Sequence, residues 1–130
     1  MTPELSALAS ALILQIAAIG LMAVIANLEL GPKVTLSPRD GTLPAPSLLL
    51  GRALRAVQNG FEGLVLFAPA VLLITLSGQS SRLTATAAWV YVAARFLYLP
   101  AYLFGLVPWR SLLWAIGLLA TVTMILAALR

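Results

Sequence analysis

Arg52, Arg55, Asn59 and Glu62 recur three, four and three residues apart in an otherwise apolar stretch. At 100° per residue they share an arc of roughly 80° on one helix face. A second set, Tyr91, Arg95, Tyr98 and Tyr102, steps by four, three and four and occupies an arc of roughly 60°. Arginine, carboxylate, amide and phenol side chains lined up in this way could neutralise one another or hold a small charged ligand. Inside a membrane helix an ionisable residue costs at least ~2.5–3.5 kcal/mol on insertion scales, so such stripes imply a compensating partner, usually a ligand or a polar cavity.

The surrounding sequence makes a membrane the expected setting. Of the 130 residues 62% are hydrophobic and 9% charged, whereas a soluble domain is nearer a quarter charged. There is room for one domain over residues 1–130, and its class is an all-α integral membrane protein. The chain has no Cys and no His. That excludes disulfides, a thiol nucleophile, a histidine general base and the commonest metal ligand, and no metal site is expected. A net charge of +4 could suggest nucleic acid, but the basic residues stand singly at helix ends and form no basic face.

Four apolar segments, at about 5–26, 48–77, 83–106 and 109–129, each supply the ~20 residues that a spanning helix needs. They lack the alternation of a membrane barrel, so an antiparallel four-transmembrane-helix bundle is expected. Thr2-Pro3-Glu4 reads as a helix cap with Pro in the first turn. Glu4 replaces the positive charge of a secretory leader, so the first span is expected to be retained. Gln15, isolated in that span, is expected to hydrogen-bond a neighbouring helix. Residues 27–46 form the long connection, broken by Gly31-Pro32, Ser37-Pro38, Asp40-Gly41 and Pro44-Ala-Pro46. Lys33, Arg39, Arg52, Arg55 and Arg110 lie at one end of the bundle and only Arg82 and Arg130 at the other. The first and third loops should therefore face the cytoplasm.

The second segment then starts, and the third ends, at the cytoplasmic side. Counting ~1.5 Å per residue from those ends places Glu62 level with Arg95, Asn59 with Tyr98 and Arg55 with Tyr102. Glu62 and Arg95 are expected to neutralise each other, directly or through a ligand, in a polar cavity open to the cytoplasm. Breaking a buried ion pair costs ~3–5 kcal/mol. On that footing Arg95→Ala alone should damage folding more than loss of both residues.

The motifs Arg55-Ala-x-x-Asn59-x-x-Glu62 and Arg95-x-x-Tyr98-x-Pro-x-Tyr102, set in a four-helix chain of this length, resemble the MAPEG family of membrane-associated proteins in eicosanoid and glutathione metabolism. Leu66-Phe67-Ala68-Pro69 resembles the short bacterial members. The resemblance covers nearly the whole chain. It implies a homotrimer in a bacterial inner membrane that binds glutathione between subunits, toward the cytosol, with transferase or peroxidase activity on lipophilic electrophiles. Carried over, Arg55, Asn59 and Glu62 hold the charged ends of glutathione and Arg95, Tyr98 and Tyr102 close the site. Glutathione has two carboxylates and one ammonium, so Arg55 and Arg95 suit the former and Glu62 the latter. Family enzymes stabilise the thiolate with an arginine shortly after the second tyrosine, a role that would fall to Arg110, one residue displaced.

A second reading is a non-catalytic trimer whose cavity binds lipid or another small anion. It is favoured by Val57 and Gly63, which stand where leukotriene-forming members place a polar and an aromatic contact. A small transporter or channel subunit would also explain intramembrane charge, but no internal repeat or broken helix pair supports it.

Overall fold

Five α-helices make up the structure, a computed structural model describing residues 1–130: α1 (Pro3–Leu30), α2 (Pro32–Thr35), α3 (Leu48–Ser77), α4 (Arg82–Leu103) and α5 (Trp109–Ala128). The Thr2 hydroxyl accepts the Leu5 N–H at 3.2 Å and so caps α1. The helix outlasts its apolar run because Asn27-Leu-Glu-Leu carries no breaker, and it stops where Gly31 adopts φ 81°. Ser47 caps α3, accepting from the Leu50 N–H at 3.0 Å, while Ser81 and Thr84 form a reciprocal capping box on α4. α4 ends three residues before the expected limit because Gly105 takes φ 64°, a left-handed conformation that cannot continue a helix.

α1, α3 and α5 are each long and apolar enough to cross a membrane. α4 has the length, at 22 residues, but Arg95 and three tyrosines dilute its apolarity. α3 and α4 pack against each other, and each also packs against both α1 and α5. α1 and α5 do not touch. The bundle is therefore a diamond in section, with α3 and α4 on the short diagonal. Its core is small and tightly filled: Phe67, Val71, Ile74 and Met124 are fully buried among Ala7, Ala70 and Ala88, residues small enough to let backbones approach. The outer face is the reverse of a soluble protein's. Ile13, Val65 and Leu76 are 68%, 70% and 85% exposed, as suits a surface in contact with lipid rather than water.

Gln15 bridges α1 to α3, its Nε2 donating to the Val57 carbonyl at 2.9 Å. Gly60 makes this possible, since a Cβ there would lie 2.0 Å from the Gln15 Oε1.

The two ends of the bundle are tied differently. At one, the Glu4 carboxylate is completely buried and accepts from the Ser80 hydroxyl at 2.9 Å and from the Thr84 hydroxyl. The start of α1 is thereby fastened to the α3–α4 turn. Glu4→Ala leaves the Ser80 hydroxyl without its acceptor and Thr84 with only the Ser81 carbonyl at 3.0 Å, and should destabilise the protein by about 1–3 kcal/mol, with Glu4→Gln losing less. Equilibrium unfolding in a mixed micelle measures this, and identical midpoints for wild type and Glu4→Ala would refute it. At the other end Ser47 donates to the Glu29 carboxylate, closing the connection between α1 and α3. The starts of α3 and α5 and the finish of α4 meet there, beside that connection.

Candidate functional site

The polar stripes converge at this second end. Arg55, in the second turn of α3, projects across to α4, where its Nε donates to the Tyr102 hydroxyl at 3.1 Å. Its guanidinium carbon lies 5.9 Å from the centre of the same ring. Arg110, in the first turn of α5, places its guanidinium carbon 4.9 Å from the Tyr102 ring centre, within the ~6 Å over which a cation and an aromatic face attract. Tyr102 is thus flanked by two arginines from different helices. The Gly105–Pro108 turn brings Arg110 back over α4, so its single-residue offset in sequence does not carry it away from the cluster.

One turn deeper, Arg95 donates from Nη1 to the Asn59 Oδ1 at 2.7 Å and lies with its guanidinium carbon 4.1 Å from the Tyr98 ring centre. Tyr98 is buried and packs at a 52° tilt on Tyr102, with ring centres 5.6 Å apart. The six residues Arg55, Asn59, Arg95, Tyr98, Tyr102 and Arg110 therefore form one connected group of hydrogen bonds and ring contacts spanning α3, α4 and α5.

Glu62 stands apart from it. Of the two forms of neutralisation expected, direct or through a ligand, the direct ion pair with Arg95 is not formed: Arg95 turns toward the mouth of the site and bonds Asn59, one turn nearer the helix start. The long arginine side chain explains the difference. Counting backbone rise levels the Cα atoms, but a guanidinium can reach a full turn along the axis and settles where an aromatic face and an amide oxygen are both within reach. Glu62 is left exposed on the lip of a deeper cavity of about 270 Å³ that Arg95 also lines. Arg95→Ala therefore strands no paired charge at Glu62; it removes the donor to a neutral amide, Asn59.

Two features escaped the sequence reading. Arg52, the outermost residue of its stripe, donates from Nη1 to the Leu103 carbonyl at 3.3 Å, bringing positive charge to the C-terminal carbonyls of α4. Gly105 leaves the room, because a Cβ there would fall 2.7 Å from the Arg52 Nη2. A turn at Gly105 and the Arg52 stripe position were both visible in the sequence, but not their proximity. The second feature is Tyr91, which stacks on Phe67 at 3.8 Å between ring centres and 7° between planes. Its hydroxyl is buried without a hydrogen-bond partner.

Arg52, Arg55, Arg95 and Arg110 thus bring four positive charges to this end of the helices, and Glu62, on the lip of the deeper cavity, is the one carboxylate of the two stripes. A group of that charge, bounded by apolar helices, attracts anions, and the planar guanidinium forks of Arg55 and Arg95 suit carboxylates. No curated protein matches the sequence at a significant level. Across residues 7–130, nearly its whole length, the sequence matches that of one family, whose members are membrane proteins, and the chain belongs to the MAPEG family.

Proposed function

We propose that this protein binds glutathione in the arginine–tyrosine site and activates its thiol for reaction with apolar electrophiles or peroxides. On this reading α4 spans the membrane with α1, α3 and α5, three copies assemble with the site between them, and the first and third connections face the cytoplasm of a bacterial inner membrane. The observation that carries the reading is Tyr102 held between Arg55 and Arg110. It sets a cation from α5 beside two residues of the stripes, where a thiol could be held as thiolate. Arg55 and Arg95 supply positive charge for the two carboxylates of glutathione, and Glu62, unpaired within the protomer, is free to receive its ammonium.

Family membership supports a glutathione-related role, and the excess of arginine supports an anionic ligand. The alternative is a non-catalytic protein that binds a lipid headgroup or a small anion through the same arginines. It is separated from the first by comparing thermal unfolding with glutathione and with succinate. A ligand at 100 times its Kd stabilises by about 2.7 kcal/mol. Glutathione should raise the midpoint clearly and succinate little, because succinate lacks the ammonium that Glu62 would take. Equal shifts would favour the small-anion reading, and no shift with millimolar glutathione would defeat the glutathione reading.

A further inference from the structure

The connection between α1 and α3 folds back on the two helices that it joins, and two hollows lie side by side there. One is a bowl of about 400 Å³ made by the connection itself, with Lys33, Ser37, Arg39, Asp40 and Thr42 as its polar residues. The other is a slot of about 190 Å³ walled by Met22, Ala26 and Leu30 of α1 and by Leu50 and Leu54 of α3. Val34, Arg39, Leu43 and Pro44 border both, so the polar bowl adjoins the apolar slot. Neither hollow includes a residue of the arginine–tyrosine site.

Arg39 stands where the two meet. It is the one residue other than glycine with a positive φ, 61°, a conformation that a Cβ disfavours. Its Nη2 donates to the Thr35 carbonyl at 3.1 Å, and the other donors of its five-donor fork stay available. Ser37 is spent on the Val34 carbonyl at 2.7 Å, and the neighbouring Glu29 carboxylate is taken by Ser47. Lys33 and Arg39 against Asp40 leave the bowl one net positive charge. Below it, Met22 and Leu54 lie at the far end of the slot, roughly 9–12 Å along their helices from Leu30 and Leu48 at ~1.5 Å per residue. Leu28, Leu36 and Leu48, at the ends of the same elements, are exposed, as suits an entrance level with the membrane surface.

A cationic bowl above an apolar slot that follows two spanning helices is complementary to an amphiphile of the bilayer, headgroup at the surface and chain along the helices. A phosphodiester carries the single negative charge that balances the bowl. We propose that the bowl and slot form a lipid site for one anionic glycerophospholipid of the phosphatidylglycerol type. Its phosphodiester lies between Lys33 and Arg39, its headgroup hydroxyls meet Asp40 and Thr42, and one acyl chain fills the slot, clamping the connection onto α3. The site needs no glutathione, so it stands or falls separately from the function proposed above.

The test is native mass spectrometry of the intact protein in detergent, incubated with equal amounts of phosphatidylglycerol, phosphatidylcholine and phosphatidylethanolamine of the same chains. One phosphatidylglycerol per chain should be retained in preference to the other two. Lys33→Gln and Arg39→Gln should each reduce that preference roughly fivefold, the worth of one basic residue at an anionic headgroup, while Arg82→Gln at the opposite end leaves it unchanged. Arg39→Gly removes the guanidinium and relieves the left-handed backbone, so it should lose lipid equally with its lipid-free unfolding midpoint unchanged or raised. Ala26→Leu fills the slot without altering the bowl and should lower retention of phosphatidylglycerol with the midpoint preserved. Neither glycerol phosphate nor glutathione should displace the lipid. Equal retention of the three lipids, or a preference for phosphatidylethanolamine, would overturn the proposal. An equal loss in Arg82→Gln would reduce it to diffuse surface charge, and unchanged retention in Ala26→Leu would remove the chain from the slot. Displacement by glycerol phosphate would make the bowl a site for a free phosphate ester, and displacement by glutathione would put the lipid at the mouth instead; either result defeats it. So does a lowered midpoint with unchanged retention in Arg39→Gly, which would leave Arg39 a part of the connection's structure alone.

Discussion

Replacing Arg95 with Ala is expected to weaken glutathione binding by roughly 30-fold or more, since truncating one member of a buried, hydrogen-bonded charge pair typically costs 2–5 kcal/mol. In the free protein Arg95 is committed to the Asn59 Oδ1 at 2.7 Å and to the face of Tyr98. Its removal therefore disturbs stability through Asn59 rather than through Glu62. A double-mutant cycle of Arg95→Ala with Asn59→Ala should give a coupling of about 1.5–3 kcal/mol, the range for a hydrogen bond to a charged group. The cycle of Arg95→Ala with Glu62→Gln should give almost none without ligand. It should acquire a coupling when glutathione is bound, because the ligand then brings a carboxylate to one residue and an ammonium to the other. Arg95→Lys recovers only part of the loss, since an ammonium has no planar fork to lay over Tyr98. Isothermal titration and micelle unfolding of the same variants provide both readouts. A coupling between Arg95 and Glu62 in the free protein as large as that with Asn59 would contradict the geometry described above.

The second large effect belongs to Arg110. A cation within reach of a thiol favours the thiolate and lowers the pKa of the thiol from its usual ~8.5. With Arg110 removed, that pKa rises again, so at neutral pH the thiolate fraction of bound glutathione should fall roughly tenfold, the effect of one pH unit. The ultraviolet absorbance of bound thiolate, followed as pH is raised, should accordingly appear at more alkaline pH in Arg110→Ala than in wild type. Because Arg110 touches the ring of Tyr102 and not Asn59 or Arg95, affinity for glutathione should change far less than the thiolate signal. Arg110→Lys, which restores the charge without the fork, should regain most of the signal. If the absorbance profiles of wild type and Arg110→Ala coincide, Arg110 has no part in activating the thiol.

On the proposed function the two effects separate binding from activation: Arg95 and Asn59, one turn inside the mouth, would hold the anion, while Arg110, from a third helix, would set the state of the sulfur. Val57 and Gly63 bear on the same division. The Val57 side chain is buried, and its carbonyl receives Gln15. Gly63 opens the notch occupied by the Tyr91 hydroxyl. Both departures from the leukotriene-forming pattern are thus absorbed into packing and into the deeper cavity that Arg95 also lines.

Much of this architecture could be read without coordinates, because in an apolar chain the rare polar residue carries nearly all the information. The long apolar runs marked helices, the Gly- and Pro-rich stretch after α1 marked a connection, and steps of three and four placed each stripe on one helix face, since those are local consequences of a 3.6-residue turn. Level counting even paired Arg55 with Tyr102, because both side chains reach almost straight across the gap between α3 and α4. Tertiary structure decided the rest. Local periodicity cannot tell that α1 and α5 stand apart while α3 and α4 share the centre, as that depends on which small residues let which backbones meet. It cannot tell that Arg95 reaches along its helix to Asn59, because a flexible guanidinium chooses among partners a turn apart by their combined geometry. Nor can it show that Arg110 returns over Tyr102, or that the Tyr91 hydroxyl is left without a partner. Those facts arise where three helices converge, and no single helix contains them.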